Sequence, residues 1–116
     1  MTSKSKVKGS KFERDIVHKF QKAGFKAKRA YASNGESLGC DKEVDVIVDT
    51  TFSVGDVDES TNEITPHFTK IQCKIRQKMP SYLAIAEGVD AVIFREDRGE
   101  EYILMRLDSF VTEYLW

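Results

Sequence analysis

The run Val44-Asp45-Val46-Ile47-Val48-Asp49 restricts the fold more than any other stretch of the chain. Its β-branched residues suit a pleated strand and resist a helix. An acid set between valines needs a partner or a solvent-facing side, because a buried unpaired carboxylate is costly. A second stretch answers it. In a strand over 64–75, Ile71, Cys73 and Ile75 share one face while Gln72, Lys74 and Arg76 share the other. If these two strands pair, Asp45 stands opposite the Gln72/Lys74 face.

The remaining elements fall around this pair. Residues 1–9 read as a flexible basic arm, and 10–116 as one domain. Ser10-Lys11-Phe12-Glu13 has the capping-box pattern; Phe12, Ile16, Val17, Phe20 and Ala23 then recur at helical spacing until Gly24. A first strand is expected over 25–31 and a loop over 32–39. The second strand, 44–49, can run on through Phe52 and Val54 before turning in the acidic segment 55–63. A second helix over 82–87 closes at Gly88. Residues 91–94 and 102–105 form a hairpin across Asp97-Arg98-Gly99, and Asp108 or Ser109 caps a last helix. The order αβββαββα describes an α/β domain with a five-stranded mixed sheet flanked by helices.

At 116 residues the chain has room for one core. No apolar run is long enough to cross a bilayer, and the basic N-terminus lacks the apolar stretch of a secretory signal. A cytoplasmic location is expected. Cys40 and Cys73 show neither metal-ligand pairing nor a C-x-x-C motif, so both read as reduced thiols. His18 and His67 share no zinc-like spacing. The net charge of −1 conceals strong segregation: residues 1–29 carry +8, 36–63 carry −8, 70–79 carry +4 and 80–116 carry −5. Blocks of this kind fit a polyanion-binding surface beside an acidic cluster, or a solubilising tail with an acidic loop.

The chemistry sits with Asp45 and Gln72-Cys73-Lys74. A carboxylate, an amide oxygen and an ammonium converge at one sheet edge, and the Cys73 backbone carbonyl adds an oxygen of the kind Mg²⁺ takes. A lysine beside such a metal can hold an attacking water and stabilise charge on a phosphate. Plainer readings stand beside this one. Glu13 fits a capping-box glutamate, and Asp45 with Lys74 fits a simple salt bridge.

In order and spacing, several motifs together resemble the PD-(D/E)-x-K nucleases, and within them the archaeal-type Holliday junction resolvases. They are Lys8-Gly9-Ser10-Lys11-Phe12-Glu13-Arg14, Ala23-Gly24-Phe25, the Arg29 strand, the Ser33 loop, Val44-Asp45-Val46-Ile47-Val48, Ile71-Gln72-Cys73-Lys74 and Asp90-Ala91-Val92-Ile93-Phe94-Arg95. The resemblance implies a restriction-endonuclease-like fold and a Mg²⁺-dependent endonuclease, with Mn²⁺ able to substitute. It implies Asp45 as principal metal ligand, with Glu13, Gln72 and the Cys73 carbonyl beside it. Lys74 is implied as the catalytic lysine and Ser33 as a contact to the scissile phosphate. Gln72 stands where the family usually has Glu, which removes one negative charge from the site.

Phosphate contacts are expected from Lys4, Lys6, Lys8, Lys11, Arg14, Arg29, Arg76 and Lys78, and base stacking from Tyr31. The implied substrate is a four-way DNA junction, cut at two symmetric positions by a homodimer. Another nuclease of the same superfamily, or a DNA-binding module without activity, uses the same features.

Overall fold

The computed structural model describes residues 4–30, 36, 39–40 and 42–115. Where the sequence points to one domain over 10–116, the structure has two compact units, Met1–Ile75 and Arg76–Trp116.

The first unit opens with helix α1 (Lys4–Lys22). The basic segment expected as an arm is therefore helical from Lys4 onward. Lys and Val are tolerated in a helix, and Gly9 weakens it by only about 1 kcal/mol. The Ser10-to-Glu13 pattern consequently lies inside α1 and caps nothing. Its buried stripe is Glu13, Val17 and Phe20, one turn apart on the same face. The C-terminus is a Schellman motif: Gly24 has φ 100°, its N–H donates to the Gln21 carbonyl at 3.0 Å, and the Phe25 N–H donates to the Phe20 carbonyl at 3.0 Å. The accompanying apolar contact is Phe20 against Phe25, edge to face at 6.1 Å. This turn aims the chain into the sheet.

Strands β1 (Ala27–Arg29), β2 (Val46–Asp49) and β3 (Phe68–Ile71) form an antiparallel sheet in that order. Lys28 pairs with Ile47 and Ile47 with Lys70; Val46 pairs with Ile71. Val46 and Val48 are fully buried on the face towards α1, which packs on β1 and β2. All three strands are shorter than expected. β2 ends because Asp49 Oδ1 accepts from the Thr51 N–H at 3.0 Å and the Thr51 hydroxyl at 2.5 Å. That Asx-turn starts a short helix, α2 (Thr51–Val54), where a continued strand was expected.

Thr50 is buried, with Oγ1 2.7 Å from His67 Nδ1 and 2.8 Å from Thr69 Oγ1, so hydroxyls tie the end of β2 to the start of β3. The acidic segment beyond holds one bridge, Val57 to Ile64, in place of a continuous strand from 64. Gly55 is required there: a Cβ would collide with the carbonyls of Thr51 and Thr65.

In the second unit, β4 (Ala91–Phe94) and β5 (Tyr102–Met105) form the expected hairpin, with Ala91 opposite Met105 and Phe94 opposite Tyr102. Arg98 turns it at φ 60°. Helix α3 (Leu107–Glu113) follows, its N-cap position taken by Arg106 rather than Asp108 or Ser109. The Arg106 guanidinium donates to the carbonyls of Val89, Ile85 and Ala86, holding the segment before β4. The expected helix over 82–87 is a single 3₁₀ turn, Ser81–Leu83. The Pro before it fixes its start, and Gly88 at φ 82° ends the stretch.

The described residues are thus mixed α/β, with a three-stranded and a two-stranded antiparallel sheet instead of one five-stranded mixed sheet. No helix among the described residues is long and apolar enough to cross a membrane.

Candidate active site

Asp45 is fixed by its backbone on both sides. Its N–H donates to the Ile71 carbonyl at 2.9 Å, and its carbonyl accepts from the Ala30 N–H at 2.8 Å. Asp45 is only 8% exposed, and Oδ2 accepts from the Cys73 N–H at 2.7 Å. A main-chain donor supplied from 28 residues away pins this carboxylate at the end of β2. Among the described residues no ion pair joins it to Lys74, which is exposed just past β3. The simple salt-bridge reading of Asp45 is not what the structure contains.

Glu13 reaches the same place from α1. It is 5% exposed, one turn before Val17 on the buried stripe. Arg29 lies behind it, Nε 4.0 Å from Glu13 Oε1, while Nη1 donates to the Ser10 carbonyl at 3.2 Å. Arg29 therefore joins β1 to α1 and balances a buried carboxylate, where a DNA contact was expected. The two acids meet around Cys73. Burial pushes its thiol up to about 11, and the negative charges of Asp45 and Glu13 add to the effect.

Gln72 faces solvent, and its Nε2 donates to Glu43 Oε2 at 3.0 Å. Glu43, which the sequence pattern does not single out, is brought to Gln72 by the fold. Glu43 lies in the turn that leads to Asp45, two residues before it. The amide turned to Glu43 through its nitrogen presents its oxygen elsewhere. The side-chain oxygen donors brought to the Cys73 turn are thus the carboxylates of Glu13 and Asp45, while the Gln72 amide is bonded to Glu43. Among the described residues, no cluster of three or more His, Cys, Asp or Glu forms a metal cage. The donor set has two buried acids and neutral oxygens, a composition suited to a hard divalent cation.

Of the expected DNA contacts, Lys4, Lys6, Lys8, Lys11 and Arg14 are exposed on α1, and Lys11 pairs with Asp15 at 3.2 Å. Arg76 and Lys78 are exposed and belong to the second unit. Ser33 and Tyr31 lie outside the described residues.

Residues 4–55 match the family model of the archaeal Holliday junction resolvases, Hjc. No curated protein and no solved structure matches the chain. The matched segment holds Glu13 and Asp45, the two buried acids, and stops before Gln72 and Lys74. Residues 4–55, a little under half of the chain, are thus similar to the archaeal Holliday junction resolvases, the family its motifs resemble.

Proposed function

We propose that the protein is a divalent-metal-dependent endonuclease that cuts four-way DNA junctions. One observation carries the reading: within the family-matched segment, Glu13 from α1 and Asp45 from β2 are both more than nine-tenths buried beside the same Cys73 turn. Arg29 stands 4.0 Å from Glu13 and the Cys73 N–H bonds Asp45, and a bound cation would add positive charge between the two neighbouring carboxylates. Asp45, Glu13, the Gln72 amide oxygen and the Cys73 carbonyl would hold Mg²⁺ or Mn²⁺. When bound, the ion supplies charge stabilisation at the phosphate and an acidified water.

The protein's own groups divide the remaining work. Lys74 donates hydrogen bonds to the attacking water and to non-bridging phosphate oxygens, where negative charge grows. Ser33 contacts the scissile phosphate, and the basic face of α1 takes flanking phosphates. The restriction-endonuclease-like core, a homodimer with two-fold symmetry and a cytoplasmic location belong to the same proposal. Specificity comes from junction shape and phosphate positions rather than base edges.

The test is cleavage of labelled four-way, flap and linear duplex DNA with Mg²⁺ and with EDTA. Selective, Mg²⁺-dependent paired incision of the four-way substrate is expected. Equal cutting of all three indicates a general nuclease of the superfamily. Binding with no cutting indicates a module whose chemistry was lost with the usual Glu at position 72.

A further inference from the structure

The face of the three-stranded sheet turned away from α1 is neither plain nor neutral. Strand alternation places Ile47 and Asp49 of β2 on that face, with Lys28 beside Ile47 on one edge and Lys70 on the other. An open cleft of about 520 Å³ follows this face, lined among others by Lys26, Lys28, Ile47, Asp49, Phe68 and Lys70. Lys26, Lys28 and Lys70 are all exposed, as is Phe68 at 47%. Asp49, the acid among the lining side chains, is occupied by the Thr51 N–H and hydroxyl. The face thus combines three lysines with an apolar floor.

Its position gives it direction. The Asp45/Gln72 end of the two strands leads directly into Ile47/Lys70 and then Asp49/Phe68. Each step of two residues advances about 6.7 Å, comparable with the separation of consecutive phosphates on one strand. We propose that this cleft seats the DNA strand being cut, with Lys28, Lys70 and Lys26 taking the phosphates next to the scissile one and Ile47 and Phe68 lying under its sugars and bases. The inference rests on the nuclease reading and adds to it a substrate track along the outer sheet face. Charge complementarity selects this occupant: Lys26 and Lys28 stand two residues apart on the β1 side and Lys70 faces Lys28 across Ile47, so phosphates seated in the cleft meet cations on both sides.

The experiment measures binding of a fluorescein-labelled four-way junction by anisotropy in EDTA, across a salt series, with wild-type protein and the triple variant Lys26→Gln/Lys28→Gln/Lys70→Gln. Losing three phosphate contacts should weaken binding about tenfold or more and reduce the log–log salt slope by roughly 2–3. If wild-type protein binds and the variant keeps its slope, the track is wrong while the nuclease reading stands. If wild-type protein binds no junction, both fall. An unchanged slope with loss of a dimer in sedimentation means that a second copy, through its acidic segment, occupies the face, and the proposal is overturned.

Should the triple variant fail to fold, lysine acetylation of the wild-type protein with and without junction, read by mass spectrometry, decides the matter. Protection of Lys26, Lys28 and Lys70 supports the track; equal labelling in both samples refutes it.

Discussion

Asp45 immediately precedes strand β2 and Asp49 ends it, and the two do different work. Asp49 takes both hydrogen bonds from Thr51, two residues on, and these hold its carboxyl below the ordinary 3.8. Asp45 takes its donor from Cys73, across the sheet, and is buried beside a second acid delivered by α1. A carboxylate satisfied by its own turn shapes the backbone. One held by a main-chain donor from a distant segment, beside a second buried acid, is positioned by the tertiary fold.

The sharpest way to break this contrast is to remove each charge in turn. Asp45→Asn keeps an acceptor for the Cys73 N–H but loses the anion, so junction cleavage should fall by about 10³-fold or more with binding retained. Asp49→Asn should leave the single-turnover rate within a few-fold. Equal losses of binding and cutting in Asp45→Asn would make Asp45 structural and erase the distinction. Lys74→Ala comes next, with a single-turnover rate about 10²–10³-fold lower at near-constant junction affinity. A near wild-type rate would remove it from the mechanism.

Much of this contrast was legible in the residues. The Val-Asp-Val pattern places Asp45 at the entry to β2, whereas Gln72 and Lys74 follow β3 instead of lying within it. Gly24 marked the end of α1, and the hairpin of β4 and β5 read correctly because its apolar runs flank a turn-forming triplet. What failed had local causes. Nothing in Lys4 to Gly9 forbids a helix, so the capping-box pattern pointed to a start that lies inside α1. Asp49 and Thr51 form an Asx-turn that outcompetes strand continuation, although Phe52 and Val54 keep β spacing. The pairing of Arg29 with Glu13 is not legible in the sequence because the two lie in different elements. Glu43 was missed because its bond to Gln72 spans 29 residues. Long-range partners are set by register, which a single sequence expresses only weakly.

At the Asp49 end the expected effect is on stability. Asp49→Asn weakens two charge-assisted hydrogen bonds, for a loss of about 1–2 kcal/mol in urea denaturation. Because its carboxyl is held below 3.8, that contribution is present above pH 3.8 and disappears as the pH falls through the folded value. A wild-type acid transition that Asp49→Asn does not flatten would show the Asx-turn to be energetically idle.

The mildest effect sharpens the comparison without any assay of activity. Cys73 lies beside Asp45 and Glu13, and its thiol is raised from 9.0 to about 11, first by burial and then by those charges. The folded state therefore holds this proton more tightly than the unfolded chain. The associated stability is complete below pH 9 and is lost as the pH rises towards 11, so wild-type protein in EDTA should lose stability across that range more steeply than Cys73→Ser. The thiolate is also scarce at about pH 8, where alkylation of Cys73 should run about a hundredfold slower than in the urea-unfolded chain.

Asp45→Asn removes one of the raising charges and leaves burial in place. Alkylation of Cys73 should then speed up several-fold while remaining slower than in the unfolded chain. Asp49→Asn, at the far end of β2, should leave the rate unchanged. If the two variants alter Cys73 reactivity alike, Asp45 exerts no special charge at the Cys73 turn, and the two ends of β2 are not the different environments described above.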